Sequence, residues 1–131
     1  MIVLDTCAII WDALQKNKLT TNASVAIQEA DQARRLLVCD ISFWEIAMLV
    51  KKGRLRIDTD VARFIDLYLR ARNITVVAIT PAIAALSVDL PDTVNLDPVD
   101  RIIAATTAFY RGRLVTADAN LLATSAVDTL W

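Results

Sequence analysis

Apolar residues along the chain fall into two kinds of pattern. Short runs dominated by β-branched or aliphatic side chains occupy residues 1–5, 36–41, 74–79 and 113–117, with a weaker one at 127–131, and each predicts a strand. Between them, apolar positions recur at helical spacing. Residues 59–72 put Val61, Phe64, Ile65, Tyr68 and Leu69 on one face, and residues 98–111 do the same with Val99, Ile102, Ile103, Thr106 and Tyr110, so both predict helices. Strands separated by helices require crossover connections. The alternation therefore predicts an α/β fold: one domain over residues 1–131, with a mostly parallel central sheet and helices on both faces. The only glycines, Gly53 and Gly112, each follow a helical pattern and are expected as helix C-caps. So few glycines exclude a Walker loop or a dinucleotide fingerprint.

Composition narrows the chemistry. A hydrophobic fraction of 56% is high, yet no apolar run approaches the ~20 residues of a membrane span, and the chain starts Met1-Ile2-Val3-Leu4-Asp5 without a basic segment. The expectation is a cytoplasmic protein that does not meet the membrane. Two cysteines, Cys7 and Cys39, are expected as core thiols rather than a disulfide. Histidine is absent, which removes imidazole acid/base chemistry, Ser-His triads and the usual zinc sites. A net charge of -1 provides no global attraction for nucleic acid. Lys51, Lys52, Arg54 and Arg56 form one basic stretch, of the kind that is more often a solvated helix end than a binding patch.

Most of the fifteen acidic residues sit in polar surroundings, as Asp31, Asp58, Asp60 and Asp92 do. Four stand out. Asp5 ends the first predicted strand, Asp118 ends the run Leu114-Val115-Thr116-Ala117, Asp100 opens a helical segment, and Glu45 lies inside the apolar stretch from Phe43 to Val50. Each also suits a helix start. Asp5 and Asp118 could cap, Ser42-Phe43-Trp44-Glu45 matches a capping box, and Asp97-Pro98 is a strong cap pair that puts Asp100 at the third helical position, where the dipole favours negative charge. In a parallel sheet, however, strand C-termini and the helix N-termini that follow them share one edge, and that edge is where sites form. Four carboxylates gathered there repel one another unless a cation or protons neutralise them. Oxygen ligands suit Mg²⁺ or Mn²⁺, which can assist in-line phosphoryl displacement.

Several motifs together carry a family resemblance: Val3-Leu4-Asp5-Thr6; Ser42-Phe43-Trp44-Glu45-Ile46-Ala47 followed by Gly53-Arg54-Leu55; Leu90-Pro91 ahead of Asp97-Pro98-Val99-Asp100-Arg101-Ile102-Ile103-Ala104-Ala105; and Leu114-Val115-Thr116-Ala117-Asp118. In this order, spread over nearly the whole chain, they resemble PIN-domain ribonucleases, specifically the VapC-type toxins of toxin-antitoxin pairs. The resemblance implies an acidic metal site of Asp5, Glu45, Asp100 and Asp118 holding one or two Mg²⁺ or Mn²⁺ ions. Water activated there would hydrolyse RNA to leave a 5′-phosphate and a 3′-hydroxyl. Thr6 and Thr116 would orient carboxylates or water, Asp97 would cap and support, and Arg101 would contact phosphate or form a structural ion pair. It further implies a VapB-type antitoxin as partner and a homodimer. Trp11, Phe43, Trp44 and Trp131 would form a partner-binding patch if they do not belong to the core. Asn95 departs from the family pattern, which often has histidine two residues before the aspartate at Asp97, and Asp40 is a further strand-end acid for which a surface ion pair is expected. Two other readings remain: a receiver-like phosphoacceptor domain, although Asp5 is followed by Thr6 and no lysine occurs after Lys52, and a non-catalytic PIN-like binding module.

Overall fold

The computed structural model describes residues 1–94 and 96–131. Strands β1 (Ile2–Leu4), β2 (Leu36–Cys39), β3 (Ile74–Val77), β4 (Arg113–Val115) and β5 (Asp128–Leu130) form where the five apolar runs predict them, the weakest included. They make one sheet of order β3-β2-β1-β4-β5 in which each pairing is parallel. Ile2 lies in register with Leu36 on one side and Arg113 on the other.

Around the sheet run α1 (Thr6–Leu14), α2 (Thr21–Gln32), α3 (Ile41–Lys51), α4 (Val61–Ala71), α5 (Pro81–Asp89), α6 (Pro98–Phe109) and the single-turn α7 (Ala119–Ala123), with a 3₁₀ turn at Lys16–Lys18. The period of two in a strand divides them into two layers. Val3, Leu37, Cys39 and Leu114 point to a core with Ile83 of α5, Ile103 of α6 and Leu121 of α7. Their neighbours Leu4, Leu36, Val38 and Val115 point the other way, to Ile9 of α1, Ile27 of α2, Ile46 of α3 and Phe64 of α4. Both faces are covered, as the apolar strands require. Among the described residues no helix is long and apolar enough to cross a membrane, and both cysteines are free thiols.

Helix α3 ends with Gly53 at φ +69°, its N–H bonded to Val50 O (3.1 Å) and that of Arg54 to Leu49 O (2.9 Å). This is a Schellman closure, with glycine in the left-handed position as expected. The expectation for Gly112 is not met. At the end of α6 the left-handed residue is Arg111 (φ 52°), while Gly112 serves a different need: a Cβ there would lie 2.9 Å from the carbonyl oxygen of Met1. Its lack of a side chain lets the start of β4 approach β1.

One buried polar cluster ties α1 to α4. The carboxylate of Asp12, 3% exposed, accepts from Arg72 Nε (3.0 Å) and Nη2 (2.7 Å) and from the Tyr68 hydroxyl (2.8 Å), and Arg72 Nη1 reaches Asp31 (3.0 Å). Asp31 in turn accepts from the Asn73 backbone N–H at 2.7 Å.

Candidate active site

The chain leaves β1 toward β2 on one side and, after β3, crosses to β4 on the other, so the sheet order reverses between β1 and β4. In open parallel sheets the crevice beyond the strand C-termini at such a reversal is the usual binding place. Asp5 immediately follows β1, and Asp118 follows β4 by three residues. Glu45 on α3 and Asp100 on α6 join them, and all four acids line one cavity of about 500 Å³.

Capping and site-building turn out to be compatible, because a carboxylate has two oxygens. Asp5 Oδ1 accepts the Thr6 backbone N–H (2.8 Å) at the start of α1, while its Oδ2 accepts the Thr116 hydroxyl (2.6 Å) and the Cys7 thiol (3.6 Å). Asp118 Oδ1 caps α7 through the Leu121 N–H (2.9 Å). Thr116 joins the two acids, since its hydroxyl donates to Asp5 and accepts from the Asp118 N–H (3.0 Å). Asp97 caps α6 through the N–H groups of Val99 (2.9 Å) and Asp100 (3.2 Å), which fixes Asp100 at the third helical position. Glu45 departs from the expectation. Helix α3 begins at Ile41, with Asp40 at the cap position and no side-chain cap bond, so Glu45 is the fifth helical residue and the capping box does not form. Ser42 instead accepts the Thr6 hydroxyl (3.1 Å), tying α3 to α1 beside the acids.

The electrostatics follow from this crowding. Burial, and after it the charges of Asp5, Asp97, Asp118 and Glu45, push the Asp100 carboxyl up to about 7. Asp5, 5% exposed, is raised mainly by burial, with the Thr116 bond opposing. Glu45 is raised by burial, opposed by the Thr6 hydroxyl, with Asp5 and Asp97 adding to the rise. Among the described residues no lysine or arginine forms an ion pair with Asp5, Glu45 or Asp118. No group of three or more acids, cysteines or histidines is already gathered at ligating distance among those residues. The donor set nevertheless fits a hard divalent cation: only oxygens, neighbouring acids whose charges raise Asp5, Glu45 and Asp100, and room for the waters that Mg²⁺ keeps when a few carboxylates hold it.

Other residues singled out in the sequence have different fates. Arg101 has a use that neither expectation named: its guanidinium closes the C-terminal end of α5. Nε donates to Ser87 O (3.0 Å), Nη2 to Val88 O (3.2 Å) and Leu90 O, and Nη1 to Pro91 O (3.3 Å). The carbonyl end of a helix attracts a cation as phosphate does. Asp40 meets the Cys39 thiol (3.9 Å) and forms no ion pair among the described residues, and Asn95 lies outside the described residues. Trp11, Phe43 and Trp131 pack against the core, whereas Trp44 is 56% exposed. The sequence reading missed Cys7, Trp11 and Gln15 as cavity residues, although Cys7 and Trp11, four residues apart, share one face of α1 and Gln15 is its C-cap. It also left out Lys18, and it read Arg54 as part of a solvated end.

The sequence profile of the PIN domain family matches residues 2–127. Ribonuclease VapC22 of Mycobacterium tuberculosis is 35% identical over 120 residues, 92% of this chain and 88% of that protein. Among solved structures, the VapBC2 complex of Rickettsia felis, bound to a DNA fragment from its promoter, superposes with a TM-score of 0.75 at 12% identity, covering 99% of this chain and 98% of that one. A toxin-antitoxin complex from Klebsiella pneumoniae gives 0.67 at 19% identity, covering 100% and 97%.

Proposed function

The chain belongs to the PIN domain family, and from that premise we propose that it is a metal-dependent endoribonuclease, the toxin of a toxin-antitoxin pair. The observation that supports this most is the meeting of Asp5, Glu45, Asp100 and Asp118, from four separate elements, on one cavity at the reversal of the sheet. Capping places acids along this edge but does not require four of them to line one cavity, and Glu45 caps no helix.

Asp5, Glu45, Asp100 and Asp118 would hold the ion, Mg²⁺ or Mn²⁺. When bound, it supplies neutralisation of the phosphodiester charge and activation of water, tasks that no histidine is present to perform. The protein's own contribution is orientation. Thr116 holds Asp5 Oδ2 and the Asp118 backbone in one arrangement, Thr6 and Ser42 keep α1 and α3 in register, and the N-termini of α1 and α6 lower the cost of concentrating negative charge. Hydrolysis would leave a 5′-phosphate and a 3′-hydroxyl. The same reading brings a VapB-type antitoxin and a homodimer, for which the exposed Trp44 beside Glu45 on α3 is the natural contact. Incubating single-stranded RNA with the purified protein tests the proposal: cleavage should require Mg²⁺ or Mn²⁺ and stop with EDTA, and undiminished cleavage in excess chelator would refute the metal mechanism.

A further inference from the structure

The cavity is not acidic throughout. Beyond the carboxylates its lining continues over the apolar Ile10, Leu49 and Leu55 to Lys18 and Arg54. A second depression of about 370 Å³ shares Ile10, Lys18, Arg54 and Leu55 with it and adds Arg56, so the two form one groove with acids at one end and three cations at the other.

The cations are held by structure, not scattered along a flexible tail. Lys18 ends the 3₁₀ turn after α1, and its Nζ lies 5.6 Å from the centre of the Trp11 ring, a cation–π distance. Trp11 is itself braced by Trp131, with ring centres 5.4 Å apart. Arg54 follows Gly53, whose left-handed backbone turns the chain back over the end of α3. A net charge of -1 provides no general pull on a polyanion, and the acidic end repels one. An RNA strand therefore needs a local counter-charge where its other phosphates lie.

We propose that Lys18 and Arg54, with Arg56 beyond them, form the seat for the backbone phosphates flanking the scissile one, and that Trp11 positions Lys18 for this task. The inference rests on the nuclease reading above and names the part of the site that binds substrate. Lys18 and Arg54 touch phosphate; Trp11 is a positioning residue.

The test compares wild type, Lys18→Ala/Arg54→Ala, the conservative Lys18→Arg/Arg54→Lys, and Lys51→Ala/Lys52→Ala, which removes two exposed charges on the end of α3 outside the groove. Binding of a fluorescent single-stranded RNA oligonucleotide is read by anisotropy before turnover. KM and kcat for its cleavage are then read at several salt concentrations. The double alanine variant should weaken binding and raise KM about tenfold, with kcat changed less than about twofold, and the slope of log affinity against log salt should become shallower by about 0.7 for each phosphate that is no longer neutralised. The conservative variant should recover most of the affinity, and the Lys51/Lys52 variant should match wild type. Trp11→Ala should reproduce the effect of losing Lys18 alone. RNA affinity and salt slope left at wild-type values in a double variant that melts normally would overturn the proposal, as would an equal loss from the Lys51/Lys52 variant. It would also be overturned if the double variant kept its RNA affinity but no longer bound a co-expressed protein partner. A wild type that binds the oligonucleotide through these residues without cleaving it would refute the nuclease reading while supporting the phosphate seat.

Discussion

Asp5 and Asp12 are both buried, both belong to the first turn or two after β1, and both have apolar neighbours in sequence, yet their surroundings are opposite. Asp12 accepts one edge of a guanidinium through both its oxygens and also a tyrosine hydroxyl, and Arg72 continues to Asp31, whose carboxyl is lowered by the Asn73 backbone bond and by Arg72. Asp5 meets hydroxyl, thiol and amide donors together with other acids, and its carboxyl is raised. In the first cluster the buried Asp12 charge is matched by Arg72 inside the protein, and the more open Asp31 shares the same guanidinium. The second is left with charge that only protons or an outside cation can balance. Burial of an acid therefore says little about its role; the sign of what faces it says much more.

The largest effect should come from breaking the first cluster. Arg72→Ala leaves Asp12 buried without its cation and should cost about 3 kcal/mol of stability in urea unfolding, while the folded fraction keeps its nuclease activity and its response to metal. Loss of activity without loss of stability would reverse the assignment of the two clusters. Next in size, Asp5→Asn should lower RNA cleavage by about a hundredfold or more, since even partners one step removed from an ion often cost ten- to a hundredfold. Its stability in EDTA should stay level or rise, because one of several like charges is gone.

The smallest effect is one of slope with pH, and the two clusters give it opposite signs. The folded protein holds Asp100 up near 7, from an ordinary value of 3.8. Folding thus takes up a proton between these values, and metal-free stability should fall as pH rises from about 4 to 7. Asp31 is lowered, so its contribution is present above the ordinary aspartate value and is lost as pH falls below it. Urea unfolding in EDTA should therefore show greatest stability on the acid side of neutrality, and Asp100→Asn should flatten the fall toward pH 7. A stability that climbs steadily from pH 4 to 7 would contradict this.

Strands β1, β2 and β4 were legible because strands buried on both faces must be apolar runs, whereas the edge strands β3 and β5, partly exposed, were visible only through their β-branched and aliphatic residues, β5 the most weakly. Helix α4 was visible because it has a polar side facing water, and α6 because its apolar positions recur at helical spacing behind the Asp97-Pro98 cap. Helix α1, Thr-Cys-Ala-Ile-Ile-Trp-Asp-Ala-Leu, shows almost no polar side, and α5, Pro-Ala-Ile-Ala-Ala-Leu-Ser-Val-Asp, shows little more, so neither announced itself by periodicity. The four acids were legible as strand-end or apolar-context carboxylates, but by the same criterion Asp12 should have been noticed as well. What separates it from Glu45 is Arg72, sixty residues away in sequence, and no local pattern carries that information. The contacts of Arg101 with carbonyls at the end of α5 were invisible for the same reason, since those partners lie on another helix. Arg54 and Arg56 were visible as a basic stretch, but the groove they line with Lys18 was not, because it forms only after α1 and α3 have packed.

The central claim is that Asp5, Glu45, Asp100 and Asp118 act as one site, and that Asp5, Asp100 and Asp118 are not merely helix-start residues. Thermal unfolding of wild type and Asp100→Asn, in EDTA and in millimolar Mn²⁺, tests it most directly. A shared site predicts that the variant is as stable as wild type or more so in EDTA. The ion should stabilise wild type by about 2.7 kcal/mol at a hundredfold excess over its dissociation constant, and the variant much less. A variant that is less stable in EDTA by roughly 0.3–1 kcal/mol, the loss of a charge at a helix start, yet gains as much from the ion as wild type does, would show that Asp100 only supports its helix and that the four acids are not a common site.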